Sequence, residues 1–165
     1  MKKISILLIV VLPFLFVPFF SVAQNITTII LIRHAEKENN SNDPSLSPAG
    51  LDRSYKLQKA LPDYNPDYFY STDYKRTQQT ITPWVNATNK TITIYNADTL
   101  SALANHLKTQ KGKTIVVVGH SNTTPQLANL LLGNEKYLSL DDAIYNKIFV
   151  ITIEGTTVTD KVIEY

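Results

Sequence analysis

The chain has no cysteine, only 5 glycines among 165 residues and little net charge, +2 from 16 basic and 14 acidic side chains. Without cysteine, disulfides, thiolate metal sites and cysteine nucleophiles are excluded, so any chemistry must use histidine, arginine, carboxylates or hydroxyls. The low glycine content and the 18% of charged residues are typical of an ordinary globular protein. A collagen-like or disordered chain is therefore excluded, and the length fits one domain.

The longest hydrophobic run lies at the N-terminus. Two lysines precede an apolar run over residues 4–20, and the small residues Ser21 and Ala23 follow it. This pattern predicts a signal peptide over residues 1–23, cleaved after Ala23. An uncleaved membrane anchor is the alternative, because the run is almost long enough to span a bilayer. The two prolines within the run disfavour that alternative.

Cleavage would leave residues 24–165 as a single domain of an exported protein, periplasmic or secreted. The loss of Lys2 and Lys3 lowers the number of basic side chains from 16 to 14, which equals the number of acidic ones. A chain without net charge gives no reason to expect a nucleic-acid partner. We also expect no stable membrane association after cleavage.

Short apolar strands alternate with amphipathic segments along the rest of the chain, a pattern that predicts an α/β fold. The continuous apolar runs at 28–32 and 114–118 are typical of strands buried on both faces of a parallel sheet. We expect three layers, a mostly parallel central sheet with helices on both faces. Further strands are predicted at 67–70 and 91–95 and in a closing hairpin of 148–153 and 157–165. Helices are predicted at 48–61, at 100–107 and at about 125–132. A further helix is predicted around Arg76, and Pro83 ends or kinks it.

Polar residues follow three of the predicted strands directly. Arg33 and His34 follow the first strand, Arg76 lies shortly after the second, and His120 follows the strand that ends at Val118. Ligands of open α/β sheets bind at the carboxyl ends of parallel strands, so we expect these side chains to converge. Two arginines and two histidines would form a cationic pocket. Because guanidinium groups bind phosphate through a bidentate fork, the predicted ligand is a compact dianion such as phosphate.

Four short motifs succeed one another along the chain: RHAEK at 33–37, LSPAG at 46–50, STDYKRTQQT at 71–80 and GHSN at 119–122. In this order they resemble the histidine phosphatase superfamily, also called phosphoglycerate mutase-like, over about residues 28–153. A single Arg-His dipeptide would be a weak signal, whereas the four motifs together are specific. Gly50 in the second motif is interpreted as a close helix contact rather than as part of a phosphate loop.

The resemblance implies a phosphoglycerate mutase-like fold and hydrolysis of a small phosphomonoester in two steps. His34 would attack phosphorus as a neutral imidazole that donates its other N–H to a backbone carbonyl, and water would hydrolyse the resulting phosphohistidine. Arg33, Arg76 and His120 would bind the phosphoryl oxygens, with His120 protonated beside a dianionic substrate. No metal and no cofactor is implied.

The general acid that protonates the leaving alcohol is less well defined by the resemblance. Asp98 is the acidic residue between Lys75 and Ser101, where members that act on ordinary esters usually supply a carboxylate. It could equally be the N-cap of the following helix, where aspartate is common. Glu36 is the second candidate for the acid.

Two other functions are compatible with the same residues. A phosphoglycerate-mutase-like phosphotransferase must retain its substrate through the phosphoenzyme cycle, and this short chain has little sequence to build a closing lid. A catalytically silent module would bind phosphate or a phosphorylated ligand without turnover. A metal site is disfavoured, because the histidines lack metal-ligand spacing and have arginines as neighbours.

Overall fold

A computed structural model describes residues 25–165, so the predicted signal peptide lies outside the described residues. The described part consists of six strands and four α-helices in α/β order. The strands are β1 (Thr27–Arg33), β2 (Tyr68–Ser71), β3 (Ile92–Ile94), β4 (Thr114–Gly119), β5 (Lys147–Glu154) and β6 (Thr157–Glu164). The helices are α1 (Pro48–Ala60), α2 (Lys75–Ala87), α3 (Leu100–Thr109) and α4 (Thr123–Leu132).

The strands form one sheet in the order β3-β2-β4-β1-β5-β6. The four strands from β3 to β1 are mutually parallel, while β5 pairs antiparallel with β1 and β6 antiparallel with β5. The predicted closing hairpin is present, and Gly155 in its turn has a φ of 61°, which favours glycine. The mostly parallel sheet is therefore confirmed, with the hairpin as its antiparallel edge.

The two faces of the sheet pack against different pairs of helices. Along β1, Ile29 and Leu31 belong to the core formed with α3 and α4. Ile30 and Ile32 belong to the core formed with α1 and α2. Successive side chains of a strand point to opposite faces, so an uninterrupted apolar strand must be covered on both sides. The predicted three-layer architecture is confirmed.

Local capping signals explain where α1 begins. Ser47 is its N-cap, and the hydroxyl accepts a hydrogen bond of 3.1 Å from the Gly50 amide, with Pro48 in the first turn. Of the two effects predicted for Pro83, an end or a kink, an end of α2 is wrong, because the helix continues through Pro83 to Ala87. Trp84 and Val85, which follow the proline, are buried, so tertiary packing holds this last turn in place. None of the helices within residues 25–165 is long and apolar enough to cross a bilayer.

Candidate active site

The carboxyl ends of β1, β2 and β4 lie side by side, and this arrangement brings the predicted polar residues together. In the sheet register Arg33 pairs with Gly119, so that His34 and His120 leave neighbouring strands at the same level. A cavity of about 340 Å³ at this edge is lined by all four predicted phosphate-site residues, Arg33, His34, Arg76 and His120. The sequence-based expectation that they converge agrees with the structure.

His34 is buried and held in a defined orientation. Its Nδ1 lies 2.7 Å from the carbonyl oxygen of Ala35, which accepts the Nδ1 proton because a carbonyl has none to donate. The Nε2 atom of the neutral ring is then the unprotonated nitrogen. Burial, reinforced by the positive charges of Arg76 and Arg33 and by His120, lowers the pKa of His34 to about 4. At neutral pH the imidazole is uncharged, as a nucleophile requires.

Arg33 lies beneath the cavity and is 3% exposed. Its Nη1 atom donates to the carbonyl oxygens of Asp141 and Ile144, both at 2.8 Å. Its Nε atom is buried and has no hydrogen-bond partner. A buried unpaired donor is costly unless a ligand satisfies it. The orphaned Nε is therefore the feature of Arg33 that points most directly to an anionic ligand.

Arg76 lies in the first turn of α2, beside an exposed tyrosine. Its Cζ atom is 4.3 Å from the centre of the Tyr74 ring, a cation–π contact that supports the guanidinium at the rim of the cavity. The amide of Lys75, the first residue of α2, donates to the Asp43 carboxylate at 2.8 Å. This amide is thus occupied, and the side chain of Arg76 is the main contribution of α2 to the cavity.

His120 is half-buried and lines the cavity together with Arg33 and Arg76. Its Nε2 lies 3.1 Å from the Thr72 hydroxyl, and its backbone amide donates to the Thr123 hydroxyl at 3.0 Å. Burial and the charges of Arg76 and Arg33 lower the pKa of His120 to about 4. The ring is therefore neutral in the ligand-free protein at pH 7, and the protonated form expected from the sequence requires the opposing charge of an anion.

Asp98 lies in a one-turn 3₁₀ helix that precedes α3, and its side chain is exposed. The Asp98 amide donates to the side-chain oxygen of Asn96 at 2.9 Å, so Asn96 caps the 3₁₀ turn. The N-cap of α3 is Thr99, so the N-cap interpretation of Asp98 is wrong. Asp98 lines a second groove, of about 480 Å³, together with Arg76 and His120. These two residues separate that groove from the cavity that contains His34.

Glu36, the second candidate for the general acid, is engaged elsewhere. Its carboxylate accepts hydrogen bonds of 2.7 to 2.9 Å from the Nε and Nη2 atoms of Arg53, and both side chains are half-buried. Although burial alone would raise the pKa of Glu36, the hydrogen bonds and charge of Arg53 lower it. Glu36 lines a pocket with Arg53 and Tyr165, apart from the cavity of His34, and its carboxylate is thus poorly suited to donate a proton there.

Several residues of the cavity were missed by sequence reasoning. Tyr145 and Asp142, in the segment between α4 and β5, and Lys37 all line it. The motifs gave no signal for this segment, since two of its contacts to Arg33 are made by backbone carbonyls. The polar loop 39–43 also contributes its residues 40–42 to the cavity wall.

The chemical character of the cavity follows from this set of side chains. Arg33, Arg76 and Lys37 make it cationic, and the uncharged imidazole of His34 opens into it. Within residues 25–165 no group of three or more His, Asp or Glu side chains is placed to hold a metal ion. Such an arrangement can bind a dianion and present a neutral nitrogen nucleophile to it.

Comparison with known proteins agrees with this chemistry. Residues 29–101 match the family model of the histidine phosphatase superfamily, branch 1. The match includes Arg33, His34 and Arg76 and ends before His120. A search of curated protein sequences finds no significant match.

Solved structures of phosphatases share the fold over nearly the whole described chain. The α-ribazole phosphatase of Shigella flexneri superposes with a TM-score of 0.66 at 14% identity and covers 84% of this chain and 96% of its own. A mycobacterial glucosyl-3-phosphoglycerate phosphatase gives 0.64 at 12% identity, with 85% and 98% covered. The protein histidine phosphatase SixA, complexed with tungstate, gives 0.64 at 14% identity, with 83% and 96% covered. This chain thus has the phosphoglycerate mutase-like architecture. At sequence identities this low, the superpositions show the fold and nothing further.

Proposed function

The chain belongs to the histidine phosphatase superfamily, and we propose that it is a metal-independent phosphomonoesterase that hydrolyses a small phosphorylated substrate through a phosphohistidine on His34. Membership places it among phosphatase or mutase-type enzymes. The observation that carries the finer proposal is the environment of His34. Its Nδ1 donates to the Ala35 carbonyl at 2.7 Å, which leaves Nε2 as the unprotonated nitrogen. The same cavity is lined by Arg33, whose Nε is unpaired.

In the first step, the Nε2 lone pair of His34 forms a bond to phosphorus while the bond from phosphorus to the ester oxygen breaks. The leaving oxygen takes a proton and departs as the alcohol. In the second step, water attacks phosphorus and returns a proton to the group that protonated the leaving oxygen. The phosphorus–nitrogen bond breaks, and inorganic phosphate leaves with His34 neutral again. No external oxidant or reductant is needed.

Arg33, Arg76 and His120 stabilise the negative charge that develops on the phosphoryl oxygens. Arg33 supplies its unpaired Nε–H, and Arg76, which lines the same cavity, supplies its guanidinium. His120 adds a donor and, once a dianion is bound, a positive charge, because an adjacent anion favours the protonated imidazole. Stabilisation of this charge is the main catalytic contribution in phosphoryl transfer.

Asp98 is proposed as the proton donor to the leaving oxygen. It shares its groove with Arg76 and His120, and both of these also line the phosphate cavity. A leaving group that extends past these two residues comes within the reach of the exposed Asp98 carboxyl. The cavity of about 340 Å³ suits a small phosphorylated compound.

The nucleophile is tested with p-nitrophenyl phosphate in the presence of EDTA. Purified residues 24–165 should hydrolyse this ester, and His34→Ala should lower kcat by at least about 10³-fold, since the covalent route is removed. His106→Ala is the matched control, because His106 is exposed and contacts the Tyr70 hydroxyl rather than the cavity. Full activity of His34→Ala refutes the nucleophile, and phosphate binding without turnover by the wild type identifies a silent binding module.

The role of Asp98 is tested by changing the leaving group. Asp98→Asn should lower kcat/KM for an alkyl phosphate by about 10²-fold or more, because an alkoxide needs a proton to leave. It should affect p-nitrophenyl phosphate by no more than about 3-fold, since nitrophenolate leaves unaided. Glu36→Gln, the same chemical change at the carboxylate paired with Arg53, should not discriminate between the two esters. Equal losses on both esters in Asp98→Asn would exclude an acid role.

A further inference from the structure

Arg33 is held in place by backbone carbonyls rather than by a carboxylate. The Asp141 and Ile144 carbonyl oxygens each accept a hydrogen bond of 2.8 Å from Nη1. The nearest carboxylate oxygen is that of Asp142, 3.5 Å from Nη2, on a side chain that is 98% exposed. Carbonyls fix a guanidinium without cancelling its charge, whereas a buried carboxylate would neutralise it. Arg33 is therefore oriented and keeps its positive charge for a ligand.

The two edges of the Arg33 guanidinium have different surroundings. The Nη1 end is saturated by the two carbonyls. The opposite edge, formed by Nε and Nη2, carries an unpartnered buried Nε–H and only the long contact to Asp142. This Nε/Nη2 edge is the fork that binds two oxygens of one phosphate. The unsaturated edge therefore has the geometry for a tetrahedral dianion.

Tyr145 contacts the face of the same guanidinium. Its ring centre lies 4.1 Å from the Arg33 Cζ atom, and its ring is 6.1 Å from that of His34. The guanidinium cannot move away from the face of the ring without losing this cation–π contact. With the carbonyls at one edge and Tyr145 on one face, the direction of the Nε/Nη2 edge is determined.

The segment that carries these contacts, residues 134–146, is itself anchored by hydrogen bonds to α4 and to the residues just before α4. The side chain of Asn129, which is buried, binds the backbone amides of Lys136 and Tyr137 at 3.1 and 2.9 Å and the Tyr137 carbonyl at 2.8 Å. Further along, the Leu140 amide donates to the Ser121 carbonyl at 2.8 Å, next to His120. The irregular segment is thus fixed at two points that precede Asp141, Ile144 and Tyr145 in the chain.

We propose that Tyr145 is a positioning residue, which together with the Asp141 and Ile144 carbonyls presents the Nε/Nη2 edge of Arg33 to a bound phosphoryl group. The inference depends on the proposed function only for the identity of the ligand as a phosphate. The aromatic ring carries out this role, and the phenolic hydroxyl has no part in it. Loss of the ring leaves Arg33 charged and held only at Nη1, so that its Nε/Nη2 edge is less well oriented and phosphate binds more weakly.

The test measures the dissociation constant of inorganic phosphate by titration calorimetry, with KM and kcat for p-nitrophenyl phosphate beside it. Tyr145→Leu should weaken phosphate binding by about 10-fold and raise KM more than it lowers kcat. Tyr145→Phe should stay within about 2-fold of wild type, because the ring remains. Tyr64→Leu is the matched control, since Tyr64 also contacts a cation, Lys161 at 5.8 Å, away from the cavity.

A direct measurement on the wild-type protein avoids any effect of the substitutions on folding. The ¹⁵N–¹H signal of the Arg33 Nε group, identified by its loss in Arg33→Lys, should shift on addition of inorganic phosphate. Wild-type affinity in a folded Tyr145→Leu, an equal loss in Tyr145→Phe, or an Arg33 Nε signal unaffected by phosphate would each overturn the inference. A wild type that binds phosphate without hydrolysing esters would instead overturn the proposed function and leave this inference standing.

Discussion

Two histidines share one cationic cavity, and the same physical effects act on both rings. Burial is the largest effect on His34 and on His120, and the charges of Arg76 and Arg33 oppose protonation of each. Their ring centres are 5.5 Å apart, so a proton on one ring disfavours a proton on the other. The ligand-free site therefore holds two neutral imidazoles beside the positive charges of Arg33 and Arg76. These charges favour the binding of a dianion.

A prediction about pH follows from these two residues. In the ligand-free protein the pair should titrate with apparent pKa values near 4, and in the unfolded chain near the ordinary value of about 6.5. Between these values the unfolded state binds more protons, so the free energy of unfolding should fall as the pH drops from about 6.5 through 4. NMR titration of the ring protons and urea unfolding at several pH values measure both effects.

The same titration has an internal control and a clear contrary result. Replacement of both rings, in His34→Gln with His120→Gln, should remove this part of the pH dependence of stability. Saturation with inorganic phosphate should raise the apparent pKa values of the pair, because the bound anion compensates the arginine charges. Apparent values above 6 in the ligand-free protein would show that burial and the arginines do not control the site.

At the scale of secondary-structure elements, strong local patterns predicted most of the fold. The four apolar positions of α3, among them Leu103 and Leu107, are all buried as the helical spacing required. The sequence segments that form β1 and β4 are apolar at successive positions. Such strands fit only a sheet that is covered by helices on both faces. Element type and layer order could thus be read from residues that act locally.

Packing decided the features that local patterns could not predict. Pro83 is a helix-breaking residue by its own chemistry, but the burial of Trp84 and Val85 keeps the next turn of α2 helical. Asp98 does not cap α3 because a 3₁₀ turn, capped by Asn96, precedes this helix and makes Thr99 its N-cap. Tyr145 reaches Arg33 over more than a hundred residues of sequence, and nothing in its neighbourhood predicts that contact.

One glycine illustrates a contact that the sequence did indicate. Gly50 in α1 lies against the loop after β1, where an added Cβ would be 2.2 Å from the Glu36 carbonyl oxygen. A side chain cannot be accommodated at that distance from backbone. The close approach predicted at Gly50 therefore brings α1 directly against the loop that follows His34.

At the scale of the whole molecule, charge is distributed unevenly. The sequence has 16 basic and 14 acidic residues, yet Arg33, Arg76 and Lys37 line one cavity. The carboxylate that joins them in the described lining, Asp142, is 98% exposed and therefore well screened by water. We expect this local concentration of positive charge to attract small anions to the cavity, and the absence of a nucleic-acid partner stays a prediction.

Export is the prediction that concerns the whole chain. The two lysines, the apolar run over 4–20 and the small residues Ser21 and Ala23 predict cleavage after Ala23, and β1 begins at Thr27, so the cut would leave the sheet intact. We expect the full chain, expressed in a bacterium, to yield an extracytoplasmic protein that begins at Gln24 by mass spectrometry. Ala23→Lys should block this processing and leave a longer, membrane-associated form, because the cleavage site requires a small residue, whereas Gln24→Asn beyond it should be processed normally. A mature protein that begins with Met1 would contradict cleavage and favour the anchor.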